Sequence, residues 1–143
     1  MKTIAVSGGF DPVHIGHIRY FKEAKKLGKV IIILNSDKFL RRKKGFVFMK
    51  FKERKEVLES IKYVDKVIPC IDKDQTVCKT LARLKPDIFA KGGDRTLKNI
   101  PEKEVCENLK IKMKFLVGGR KIQSSSKLVK KANKLCLKTK REN

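Results

Sequence analysis

The sequence predicts a doubly wound α/β fold: one domain built on a parallel five-stranded sheet, order 3-2-1-4-5, with helices on both faces. Three observations carry that expectation. Apolar runs rich in β-branched residues alternate with segments of helical period through the whole chain, the rhythm of strand and crossover helix that a parallel sheet needs. The second run, "KVIIILNSD", is apolar on both faces, as a strand covered from two sides must be. At 143 residues the chain is long enough for one core and short for two.

The elements follow in order. "TIAVSGG" is the first strand and "HIRYFKEAKKLG" a helix closed by Gly28, after which "KVIIILNSD" is the second strand. A basic connection, "KFLRRKKGFVFMK", leads to the helix "FKERKEVLESIKY", whose Val57, Leu58 and Ile61 are expected on one buried face. "VDKVIPC" gives the third strand. "QTVCKTLARLK" gives a helix with Val77, Leu81 and Leu84 inward and Pro86 marking its end. "DIFAKGGD" is strand four, "PEKEVCENLK" a short helix opened by Pro101, and "KMKFLVGG" strand five. "SSSKLVKKANKL", a serine-led helix, closes a domain spanning residues 1–135, and residues 136–143 form a basic tail expected to be frayed.

The formal net charge of +22 draws in polyanions, whether nucleic acid, anionic surfaces or phosphorylated small molecules. The lysines that produce it are spread from Lys2 to Lys140, so most read as ordinary solvated surface. No apolar run reaches the roughly 18 to 20 residues needed to span a bilayer, and no signal core follows Lys2. A cytoplasmic location is therefore expected. Cys70, Cys78, Cys106 and Cys136 stand apart, with no C-x-x-C pair and no histidine nearby. That spacing speaks against a zinc site or a disulfide framework and for reduced packing residues.

Sheets of this kind bind ligands beyond the carboxyl ends of their strands, where the strand order reverses. The glycine-bearing loops fall there: "GGFDPVHIGH" after strand one, "KGGD" after strand four and "GGRKIQSSS" after strand five. The first loop holds both histidines of the chain, His14 and His17, where strand hands over to helix. Their spacing sets two imidazoles one turn apart, beside unpaired backbone N–H groups at the positive end of a helix, which is a place for an anion. Gly8 and Gly9 let the backbone approach a ligand, and Pro12 stiffens the turn. The pattern matches neither G-x-x-x-x-G-K-[ST] nor G-x-G-x-x-G, and a zinc site lacks its third and fourth ligands.

With these residues in view, "GGFDPVHIGH" resembles the H-x-G-H signature of the nucleotidyltransferase superfamily that includes the cytidylyltransferases. "KIQSSSKLV" resembles its second signature, an Ile-Ser-[ST]-[ST] helix start, and "FKERKEVLESIKYVDKVIP" is similar to a segment of the glycerol-3-phosphate cytidylyltransferases. The likeness runs in order over residues 2–130. It implies a Rossmann-like fold and a reaction in which a substrate phosphate attacks the α-phosphorus of a nucleoside triphosphate, CTP or ATP, and releases pyrophosphate. His14 and His17 would then donate to the phosphates in the transition state, with backbone donors around Gly9, Phe10 and Gly16. Lys43 or Lys44 corresponds to mobile lysines that reach the triphosphate, a solvated charge run being the plain alternative. Arg54 matches an arginine expected to contact phosphate, and Arg120 stands for the arginine before the serine run. Gly92, Gly93 and Asp94 would face the nucleotide. Gln123, Ser124, Ser125 and Ser126 would form a second phosphate cradle, or a helix cap and nothing more. Asp11 either orders its loop or assists a metal-bound water. A Mg²⁺ ion held mostly by phosphates and water, and a homodimer, are implied as well.

Departures from the family pattern are Gly9 for Thr or Ser, Lys62 for Arg and Gln123 for Ile; they bear on substrate identity more than on activity. The leading expectation is CMP transfer to a small phosphorylated alcohol or sugar. "AKGGD" also resembles the sugar-phosphate adenylyltransferases of ADP-heptose synthesis, which makes AMP transfer on the same fold the alternative. A non-catalytic nucleic-acid-binding module needs aromatics interleaved with basic residues, as in "FLRRKKGFVFMKFK", but the H-x-G-H loop with a matching serine-led helix favours an enzyme.

Overall fold

Chain order is β1 (Thr3–Gly8), α1 (Ile15–Lys25), β2 (Lys29–Leu34), α2 (Asp37–Lys44), α3 (Phe51–Glu59), β3 (Lys66–Pro69), α4 (Cys78–Leu84), β4 (Ile88–Ala90), α5 (Lys103–Asn108), β5 (Lys112–Lys114) and α6 (Ser125–Glu142). The computed structural model describes residues 1–92, 100–120 and 122–142. The strands pair in the order β3-β2-β1-β4-β5, as expected, and every pairing is parallel. β1 pairs on one side with β2, from Thr3 opposite Lys29 to Gly8 opposite Leu34. On the other side it pairs with β4, Ile4 opposite Ile88. The chain therefore leaves β1 at the point where the strand order reverses.

Side chains of a strand alternate between its faces, and two cores result. Ile4 and Val6 join Phe21, Val30, Ile32, Leu34 and Leu58 on the face covered by α1 and α3. Ala5 joins Ile33, Leu81, Phe89, Cys106 and Ile111 on the face covered by α4 and α5. Each fully buried Ile, Leu or Phe contributes about 1.5–3 kcal/mol, and the all-apolar "VIIIL" of β2 supplies both sides. Among the described residues no helix is long and apolar enough to cross a membrane.

The structure departs from the sequence expectation in four places. The basic connection contains a helix, α2, whose N-cap Ser36 Oγ accepts from Phe39 N at 3.1 Å and whose end is Gly45 at φ 83°. Four basic residues fill its last turn, where the carbonyl end of the helix favours cations. Val57 faces solvent, because the buried face of α3 is that of Arg54 and Leu58, and Ile61 packs on the core from beyond the end of the helix. β5 ends at Lys114, since Leu116, Gly118 and Gly119 adopt positive φ. Finally, α6 continues as helix through the stretch expected to fray, to Glu142.

Candidate active site

The loops after the strands surround a cavity of about 730 Å³ at the switch point, within the range of small-ligand sites. From the first loop, Gly8, Gly9, Phe10, Asp11, His14, Gly16 and His17 line it; Lys43 and Lys44 enter from α2, and Gly92 from the end of β4. Arg120, Gln123, Ser124, Ser125 and Ser126 line it from the fifth loop. Gly93 and Asp94 lie outside the described residues.

The two histidines are fixed by the helix they open. His14 is the N-cap of α1, and its Nδ1 accepts from Gly16 N at 3.1 Å. His17, at the third helical position, accepts from His14 N through its own Nδ1 at 3.2 Å. This is a capping box in which imidazoles replace the usual Ser and Glu. The rings stack with centroids 3.7 Å apart, and His17 meets Phe10 edge-on at 4.8 Å. A Cβ on Gly16 would lie 2.9 Å from His14 Cε1, which explains the glycine of H-x-G-H. A ring nitrogen that accepts a hydrogen bond carries no proton, so the proton of each imidazole belongs on Nε2. The cap thus turns two histidines into donors of fixed tautomer on the cavity wall.

Asp11 orders its loop. It is buried, and its carboxylate accepts from Phe48 N at 2.7 Å and Met49 N at 2.6 Å. Lys44 Nζ donates to Asp11 O at 2.7 Å and pairs with the carboxylate at 3.5 Å. Arg54 corrects the expectation of phosphate contact: it is fully buried behind the cavity. It donates to Met49 O, Gly9 O and Asn35 O, each at 2.9 Å, and to Asp37 Oδ1 at 2.6 Å. The reason is convergence, since three backbone carbonyls and a carboxylate from three separate segments meet where α3 passes. Gly8 and Gly9 are held by packing as well as lining the cavity, for a Cβ would strike the Phe10 ring at the first and the Leu40 side chain at the second.

The fifth loop is tied to the first. Ser125 Oγ donates to Pro12 O at 2.6 Å, tying the start of α6 to the loop two residues before His14. Ser124 caps the helix, accepting from Lys127 N through Oγ at 3.4 Å. Tyr20, one turn beyond His17, was not singled out from sequence; its OH donates to Ala90 O, joining α1 to the end of β4. Against that turn Gly118 packs so closely that a Cβ would lie 2.8 Å from Tyr20 Cα and N, at φ 87°. Gly119 has φ 84° but open space around it. Gly119→Ala is expected to lose about 1 kcal/mol to backbone strain, and Gly118→Ala about 2 kcal/mol or more because the helix backbone must also move. Urea midpoints of the two variants check the difference.

Sequence reasoning also missed Glu102, which lines the cavity with Gln75, Thr76 and Val77. Burial, and then the charge of Glu102, push the Cys106 thiol up to about 11, so it stays protonated at neutral pH and packs as an apolar residue. Among the described residues, no three His, Cys, Asp or Glu side chains converge as metal ligands.

A cavity at the reversal of a doubly wound sheet, walled by imidazole edges and a serine-capped helix start, suits the phosphates of a nucleotide. It is the arrangement that the resemblance to nucleotidyltransferases implies. The chain belongs to the cytidylyltransferase-like family, whose pattern matches residues 5–135. It is 34% identical over 125 residues to the bifunctional protein HldE of Syntrophotalea carbinolica, covering 83% of this chain and 25% of that protein. It is 38% identical over 116 residues to the FAD synthase of Pyrococcus horikoshii, covering 79% of this chain and 72% of that protein. Among solved structures, the lipopolysaccharide core biosynthesis protein of Thermoplasma volcanium matches with a TM-score of 0.66 at 29% identity, over 80% of this chain and 93% of that one. The chain spans about a quarter of the length of the HldE relatives it matches.

Proposed function

We propose that the chain transfers AMP from ATP to the phosphate of a small sugar or polyol phosphate, with release of pyrophosphate. The observation that carries this reading is the meeting of His14, His17 and the Ser124–Ser126 helix start on one cavity. An oxygen of the acceptor phosphate attacks the α-phosphorus. The bond from that phosphorus to the bridging oxygen breaks, and pyrophosphate leaves with the electron pair. The attacking phosphate is already anionic, so no base is required; the step asks for alignment and for donors where charge builds up. The Nε2–H groups, Lys44 and Lys43 supply such donors in this reading. Mg²⁺ belongs to the proposal as an ion carried by the triphosphate and water, because the oxygens of Asp11 are occupied by Phe48 N and Met49 N.

The choice of ATP departs from the CMP transfer that the sequence first suggests. FAD synthase is named for a product that contains an adenylyl group, and "AKGGD" resembles adenylyltransferases acting on sugar phosphates. The lipopolysaccharide relative points to a saccharide acceptor. CTP stands second, on the likeness of residues 51–69 to cytidylyltransferases. The test has two arms. Melting shifts with ATP, CTP, GTP and UTP, each with Mg²⁺, are expected to be largest for ATP; a larger shift with CTP reverses the choice of base. Pyrophosphate release is then followed with glycerol 3-phosphate, hexose 1-phosphates and flavin mononucleotide as acceptors, and silence across that panel with every nucleotide defeats the transferase reading.

A further inference from the structure

The far wall of the cavity holds a polar atom that the fold leaves unsatisfied. Glu102 is 4% exposed. Its Oε1 accepts from Val77 N at 3.1 Å, at the start of α4. Its Oε2 is buried and has no hydrogen-bond partner among the described residues. Buried carboxylate oxygens without a donor are rare and unfavourable, and this one belongs to a residue that lines the cavity. A ligand is the natural source of the missing donor.

Chemistry and position narrow the ligand group. Phosphate oxygens offer no hydrogen and share the carboxylate's charge, so Oε2 does not face the triphosphate. Glu102 opens α5 and is bonded to the start of α4, and these two helices cover the face of the sheet opposite to the one covered by α1, which carries the histidines. Gln75 and Thr76 of the same connection line the cavity beside it. We propose that Oε2 receives a hydroxyl hydrogen from the organic part of the acceptor, so that Glu102 selects a polyhydroxylated phosphate over an alkyl phosphate. This assignment rests on the transferase reading above and deepens it: the acceptor is a sugar or polyol phosphate because its hydroxyls complete the carboxylate.

The test is binding, measured by calorimetry on the full chain, of glycerol 3-phosphate, glucose 1-phosphate and flavin mononucleotide. Propyl phosphate serves as the probe without hydroxyls, and ATP as the probe of the nucleotide end. Glu102→Gln keeps an acceptor for Val77 N but places an amide donor where Oε2 stood, so it folds while reversing the polarity that a hydroxyl meets. Wild type is expected to bind at least one hydroxylated phosphate about 10- to 100-fold more tightly than propyl phosphate, and Glu102→Gln to lose that preference with ATP affinity unchanged within about twofold. Equal affinity of wild type for all the phosphates overturns the assignment, as does a variant that keeps the preference. A variant that loses ATP to the same degree also overturns it, since Glu102 would then read the base. ATP binding without hydroxyl preference sinks this inference alone, whereas failure of every probe to bind sinks the transferase reading with it.

Discussion

His17→Asn is expected to cut pyrophosphate release by about 10²- to 10³-fold, with the melting temperature close to that of wild type. Asn places its side-chain oxygen near the position of Nδ1, so the bond from His14 N that closes the capping box is kept. What disappears is the Nε2–H edge. His17→Gln does the reverse, carrying an amide N–H toward the Nε2 position while abandoning the cap. Gln is therefore expected to retain more activity and less stability than Asn. His17→Ala loses both, and a missing cap bond is worth about 1 kcal/mol. If instead the Asn variant turned over normally, the paired histidines would be only a helix cap, and the phosphate-donor role would fall. Steady-state rates with ATP beside thermal melts of the three variants separate the two functions of one ring.

The histidine pair was legible in the sequence because its physics is local. Cap, glycine and imidazoles all lie within four residues, and the loop after an apolar strand needs no distant partner to be recognised. The strand order was legible for a similar reason, since alternation and the two-faced "VIIIL" constrain a parallel sheet strongly. α2 escaped although its punctuation was present. Ser36 and Gly45 bracket it, yet only Phe39 and Leu40 between them are apolar, so the periodic signal was submerged under Arg41, Arg42, Lys43 and Lys44. Glu102 was invisible for a deeper reason: in the sequence it is one acid among several on a short helix, and only the docking of α5 against the start of α4 buries it beside a cavity.

Arg54→Met is expected to cost about 3–5 kcal/mol and to lower the melting temperature by about 10–20 °C, the largest stability loss expected here. From sequence a guanidinium beside a phosphate-binding loop reads as a ligand contact. In the fold it is a four-way clamp on Gly9 O, Asn35 O, Met49 O and Asp37 Oδ1, joining the ends of β1 and β2 and the start of α2 to the α2–α3 connection. Met replaces its aliphatic stem but leaves those carbonyls without donors. Asp37 is partly exposed and regains water when the guanidinium is lost, so the three carbonyls carry most of the loss. Arg54→Lys tests geometry apart from charge, because an ammonium cannot reach several acceptors in the planar directions of a guanidinium. A clamp predicts that Lys loses stability nearly as Met does, while the variant still folded at low temperature binds ATP with little change. A phosphate ligand predicts the opposite pattern, normal melting with weakened ATP binding, and that result would return Arg54 to the active site.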